Sequence, residues 1–171
     1  MKVTSTGIVN GVIEDKYGKR GTQFNEGGMP TYSLPLKFED APKNTVSFAV
    51  FLEDKDSVPV CGFAWIHWLA VNITKDELNE NESVTATDFV QGTTSWHGKL
   101  GGLDRLEASV YGGMAPPDRP HVYEIHVFAL DTILDLEKGF YMNEFFKAIE
   151  GHVLDLSLIH ISEPTRQEAI S

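Results

Sequence analysis

The sequence holds a single cysteine, Cys61, so no intrachain disulfide and no multi-cysteine metal site can form. Next to Gly62 and Phe63, it reads as a small buried filler rather than a nucleophile. Cationic side chains are scarce: 14 Lys and Arg stand against 25 Asp and Glu, a formal net charge of -11. A field of that sign repels phosphate backbones and anionic bilayers, so nucleic acid and stable membrane insertion are not expected. No apolar run approaches the roughly 20 residues that span a bilayer. The opening MKVTSTGIVNG lacks the charged start, apolar block and cleavage site of an export signal, which together with the lone cysteine points to a cytoplasmic protein. Catalytic signatures are missing as well. No Gly-Lys-Ser/Thr follows the turn at Gly27 to Pro30, and there is neither a His-Glu-x-x-His pair nor a nucleophile elbow.

What is present is a chain of 171 residues, the size of one domain. Residues 1–44 are punctuated by glycine and proline, which suits short strands and turns. Residues 46–73 read as two apolar strands joined by an acidic turn. On strict alternation Phe48, Val50, Leu52 and Asp54 share one face of the first strand, and Trp65, His67, Leu69 and Val71 one face of the second. Thr74 to Glu77 has the capping-box spacing of a helix start. Residues 84–113 combine short β-like pieces with a polar, glycine-bearing loop that carries His97. After it, the proline loop of residues 111–120 cannot be helical or mid-sheet. The strand that follows puts His121, Tyr123, Ile125 and Val127 on one face, and Glu124 with His126 on the other, polar one. Met142, Phe145, Phe146 and Ile149 have helical spacing, with Gly151 placed to stop the helix and His152 just beyond it. Many short strands and few helices argue for a mainly β sandwich.

From Leu156 onward the chain reads LSLIHISEPTRQEAIS. LSLIHISEPTR resembles the translation of a sequencing-library adapter. Residues 1–155 are therefore read as the domain and residues 156–171 as a non-native tail, in which His160 and Glu163 carry no functional information. The alternation of Leu156 and Leu158 with Ser157 could still occupy a strand position by accident.

Three segments carry the candidate chemistry: the acidic turn LEDKDSVP, the strand WIHWLAVNI, and the loop YGGMAPPDRPHVY ahead of another strand. Together, in this order, they resemble the phosphatidylethanolamine-binding protein family, and in particular its bacterial Raf kinase inhibitor-like branch. GFYMNEFFKAIEGHVL resembles that branch's closing helix. The resemblance implies a two-sheet antiparallel β-sandwich with Greek-key-like connections and one or two short helices, holding a small pocket for anions. Position by position, Asp54 and Asp56 match the two acids of the family's Asp-Pro-Asp turn. Trp65 and His67 match its second strand, Pro116 and Pro117 its proline pair, and His121 and Tyr123 its His-x-Tyr. Lys55 replaces the usual proline, Ser57 a frequent alanine, Met114 a frequent proline and Val122 a common arginine.

The residue types fit this reading. Two imidazoles, the Tyr123 hydroxyl and loop amides at Gly112 and Gly113 can donate to an anion. Asp54 would hold one imidazole as a donor and raise its pKa, while Trp65 and the prolines wall the pocket off from water. The expected function is non-catalytic binding of phosphate, a phosphorylated head group or a carboxylate, with no metal and no cofactor. Two alternatives remain open: a hydrolase using a metal held by Asp54, Asp56, His67 and His121 or using an Asp-His pair, and a protein-interaction inhibitor of a kinase or protease. A protein partner and a homodimer are compatible with the resemblance.

Overall fold

β-Branched, aromatic and other apolar residues gather between turn residues, and these stretches form the long strands of the protein. The computed structural model describes residues 1–164. Its strands are β1 (Lys2–Thr4), β2 (Ile8–Val9), β3 (Val12–Ile13), β4 (Leu36–Glu39), β5 (Ser47–Asp54), β6 (Trp65–Ile73), β7 (Glu77–Leu78), β8 (Val90–Gln91), β9 (Val122–Leu130) and β10 (Val153–Ser162). Helix α1 spans Val58–Cys61 and α2 Met142–Ile149. The strands form a small sheet in the order β1-β4-β7 and a seven-stranded sheet in the order β2-β3-β10-β9-β5-β6-β8. This is the expected mainly β protein with two sheets and few short helices. The expectation of wholly antiparallel sheets needs correcting at one point, because β10 runs parallel to β3 where Ser162 meets Val12. A long connection separates the two strands in sequence, so no hairpin imposes the opposite direction.

The large sheet is covered on both faces. Phe48, Val50 and Leu52 of β5 join Tyr123, Ile125 and Val127 of β9 in a core shared with Val3, Leu36, Phe38 and Leu78 of the small sheet. On the other face Ala49, Phe51, Phe128 and Leu130 pack against Phe145 and Ile149 of α2. Every residue of β5 is consequently buried, as for a central strand with no solvent face. Helix α2 forms where its spacing predicts, but only Phe145 and Ile149 face inward, and Phe146 is 38% exposed.

Two expectations of local structure fail. In β6, Leu52 faces Trp68 and Glu53 faces Ile66, which leaves His67 as the additional residue of a bulge. A one-residue insertion reverses the parity of everything beyond it. Trp68 and Ala70 therefore enter the first core, and Leu69 and Val71 the second, instead of sharing a face with His67. Second, no helix starts at Thr74. Leu78 is buried opposite Leu36 in β7, and burying that leucine in a sheet outweighs a local cap signal. The short α1 instead follows the acidic turn and stops at Gly62, whose φ of 93° is left-handed.

The segment read as a non-native tail is an inner strand as far as Ser162. β10 pairs with β9 from Val153–Leu130 to Ser162–Val122 and lies between β9 and β3. Ile161 is fully buried, while Leu156 and Leu158 stay about half exposed. Residues 165–171 of that tail lie outside the described residues.

Candidate functional site

β5, β6 and β9 deliver three side chains to one end of the large sheet. Asp54 ends β5, and the register sets it opposite Trp65 on one side and Tyr123 on the other. A cavity of about 490 Å³ opens there, lined by Asp54, Trp65, His67, Trp96, Pro116, Pro117 and His121, among others. The bulge keeps His67 on this side of the sheet, with its ring edge-on to Tyr123 at 5.2 Å.

His121 is the centre of the charge arrangement. Its Nδ1 lies 2.6 Å from Asp54 Oδ2 and its Nε2 lies 2.7 Å from Asp118 Oδ1. With a carboxylate on each nitrogen both must donate, which is the hydrogen-bonding state of imidazolium. Burial pushes the His121 pKa down, but the bonds to Asp54 and Asp118 outweigh it and hold it above the ordinary histidine value. Burial pushes the Asp54 carboxyl up, although His121 opposes the shift. For Asp118, desolvation acts upward, yet the bond from His121 and its neighbouring backbone amides hold the carboxyl below its ordinary value. The expected Asp54–imidazole pair is thus present, with a second acid that the sequence reading did not single out. The only hint was that Asp118 is the sole acid in the proline loop.

His67 behaves differently. Its Nδ1 donates to the Gly112 carbonyl at 2.7 Å, and full burial lowers its pKa to about 4. The ring is neutral at pH 7 with Nε2 unprotonated, so it offers an acceptor and not the second donor that was expected.

Four other expected ligand groups are committed elsewhere. Asp56 Oδ2 accepts the Val122 N–H at 2.9 Å and so clamps the acidic turn to β9, as Asp does in many turns. The Tyr123 hydroxyl, fully buried, donates to Glu163 Oε1 at 2.6 Å and not to the cavity; burial and that carboxylate push its pKa further up. Glu163 also accepts the His121 N–H, so a residue read as uninformative closes the back of the site. The amides of Gly112 and Gly113 donate to the carbonyls of His67 and Pro30, each at 2.8 Å. These glycines are required for close approach instead. A Cβ on Gly112 would stand 2.3 Å from the Trp96 ring, and one on Gly113 2.1 Å from the Tyr17 carbonyl oxygen.

Trp65, Pro116 and Pro117 form walls as expected. Trp96, from the polar loop, adds another and packs edge-on to Trp65 and His67 at 5.3 and 5.2 Å; a tryptophan in so polar a stretch was its sequence signal. Cys61 is only part-buried and lines the cavity, with its thiol donating to the Phe63 carbonyl at 3.2 Å. It is not the buried filler expected, because α1 turns it outward. Two buried wall atoms, Asp54 Oδ1 and Trp65 Nε1, have no hydrogen-bond partner among the described residues. His97 Nδ1 is taken by the Leu103 carbonyl at 2.9 Å, and His152 Nδ1 pairs with Asp131 at 2.8 Å.

A profile of the family described as phosphatidylethanolamine-binding protein matches residues 4–162. The uncharacterised protein YxkA of Bacillus subtilis is 39% identical over 150 residues, covering 85% of this chain and 89% of its own length. A UPF0098 protein of Chlamydia muridarum is 34% identical over 160 residues, 90% of this chain and 92% of its own. Among solved structures, a phosphatidylethanolamine-binding protein homologue from Chlamydia trachomatis superposes with a TM-score of 0.75 at 27% identity, over 96% of this chain and 97% of its own. YbcL of E. coli, at 24% identity and a TM-score of 0.74, shares the fold over 96% of this chain and 98% of its own.

Proposed function

We propose, for a chain that belongs to the phosphatidylethanolamine-binding protein family, that the cavity binds a small ligand through its carboxylate or phosphate group and does not transform it. One observation carries this reading: His121 Nε2 donates to the carboxylate of Asp118, a residue on the exposed proline loop whose side chain is 42% exposed. Asp118 stands where an anionic oxygen of a ligand would stand. A ligand that takes its place keeps the imidazolium satisfied while the loop acid returns to water. Trp65 Nε1 supplies a further donor, and Asp54 Oδ1 an acceptor for a hydroxyl or ammonium on the same ligand. Aromatic and proline walls exclude water and strengthen each bond. Free small molecules and a phosphate borne by a protein partner present the same group.

The possible nucleophiles support binding without catalysis. Ser57 Oγ is engaged with the carbonyls of Asp54 and Phe63 and accepts the Trp65 N–H. Among the described residues neither it nor Cys61 is hydrogen-bonded to an imidazole, and both nitrogens of His121 are already committed to carboxylates. A hydroxyl or thiol with no hydrogen-bonded base is weakly activated.

The test is a titration with inorganic phosphate and phosphoethanolamine, followed by calorimetry or NMR shifts. His121→Ala abolishes saturable binding. Asp118→Ala tightens it, by up to about fivefold, the scale of one exposed ion pair removed from competition. Retained binding in His121→Ala, or weaker binding in Asp118→Ala, would overturn the assignment. Because the donor is imidazolium, affinity holds below the raised His121 pKa and falls as pH climbs through it.

A further inference from the structure

Behind the cavity, on the opposite face of the same sheet, three side chains converge that the anion site does not use. We propose that Glu53, Glu124 and His126 form a binding site for one divalent transition-metal ion of the zinc type. One ligand atom from each lies within 4.8 Å of the others. The register brings this about: Glu53 of β5 is directly opposite Glu124 of β9, and His126 follows two residues along on the same face.

Two carboxylates directly opposite each other repel. These two are also largely withdrawn from water, their side chains 12% and 13% exposed. Lys55 Nζ, 2.9 Å from Glu124 Oε2, offsets only part of this charge, and its side chain is 61% exposed, so water screens the pair. His126 provides a second, independent sign. Among the described residues its Nε2 is buried without a hydrogen-bond partner, although Glu53 Oε2 lies 2.9 Å away. The ring is stacked on Phe51 at a centroid distance of 5.2 Å, so its direction is set before any ligand arrives. An orphaned imidazole nitrogen between two paired acids is unsatisfied as a hydrogen-bonding group but suited as a metal ligand. One imidazole with two carboxylates selects zinc-like ions over magnesium and calcium, which prefer oxygen alone. His160 of β10 faces Glu124 in the register, with Nε2 3.5 Å from Glu124 Oε1, but stands outside the cluster itself, so three protein ligands and a water would make up the coordination sphere. This site stands independently of the anion reading, since no residue is shared.

The experiment uses untagged full-length protein, stripped with chelator and titrated with zinc by calorimetry. The wild type is expected to take up one zinc per chain. The Glu53→Gln, Glu124→Gln double variant keeps side-chain shape and is expected to lose at least about tenfold in affinity, as is His126→Ala. Unchanged circular dichroism of each variant separates loss of a ligand from loss of fold. Manganese titrated under NMR should broaden resonances around His126 first. Absence of saturable zinc uptake, an unaltered affinity in the double variant, or broadening centred on His121 instead would each overturn the proposal.

Discussion

His67 and His121 are both buried imidazoles within reach of Tyr123, yet their surroundings push their pKa values in opposite directions. His121 has a carboxylate on each nitrogen, which raises its pKa, whereas His67 has a carbonyl on one nitrogen and burial around the rest, which lowers it. The consequence for stability has a definite sign. The folded pKa of His67 is about 4 against an ordinary 6.5, so the unfolded chain takes up the proton first as pH falls. Stability from this group is whole above pH 6.5 and is lost progressively down to pH 4, amounting to about 3 kcal/mol. His67→Gln keeps a donor for the Gly112 carbonyl and should flatten that acid limb in urea unfolding curves measured from pH 7 to 4. An unchanged slope would show that His67 is not the titrating group. That Asp54 would pair with an imidazole was legible from residue types and motif order. Which imidazole, and that Asp118 would take its other nitrogen, was not, because the partners are 67 and 3 residues from His121 and no periodicity links them.

At the scale of elements, the bulge in β6 is what a strictly alternating reading cannot see. Alternation marks the strand correctly, but an inserted residue leaves no compositional trace when both faces of the sheet are buried, since apolar residues suit either side. The bulge also places His67 against the Gly112 carbonyl, so the loop of residues 111–117 is held to β6 by reciprocal bonds between Gly112 and His67. Gly112→Ala would drive a methyl into the Trp96 ring, costing about 1–3 kcal/mol and weakening phosphate affinity along with thermal stability. Helix α2 provides a contrast that spacing alone misses. Phe145 is fully buried and Phe146 is 38% exposed, so Phe145→Ala should cost about 3–5 kcal/mol and Phe146→Ala far less, as read from urea midpoints. Equal losses would mean that the helix docks on a different face.

At the scale of the molecule, the strand order makes the chain's last described strand structural. β10 lies between β9 and β3, so truncation after Asp155 would expose the whole edge of β9 and uncover the Tyr123 hydroxyl now bound to Glu163. Such an edge invites pairing with another chain. The truncated protein should aggregate or fail to unfold cooperatively in circular dichroism and gel filtration, and an unaltered midpoint would show that residues 156–171 contribute nothing to the fold. Whatever the origin of LSLIHISEPTR, its alternating apolar residues satisfy the ladder of β9, because backbone pairing asks for period and not identity.

The amino-acid sequence by itself determined the class of the protein and its cast of residues. Short apolar runs between glycine- and proline-rich turns marked a mainly β domain, and three ordered motifs brought Asp54, His121, Trp65, Pro116 and Pro117 together as one candidate site. Those are properties of composition and local spacing, which a linear reading captures. The tertiary structure alone decided which polar atoms were left free. Asp56, Tyr123, Gly112 and Gly113 carry suitable donors or acceptors, yet each is satisfied by a neighbour distant in sequence. Among the described residues the orphans are Asp54 Oδ1, Trp65 Nε1, His126 Nε2 and, away from both sites, Asn25 Nδ2. Hydrogen bonding in a folded interior is settled by three-dimensional proximity, so a group's availability to a ligand or a metal appears only once its competitors have been placed around it.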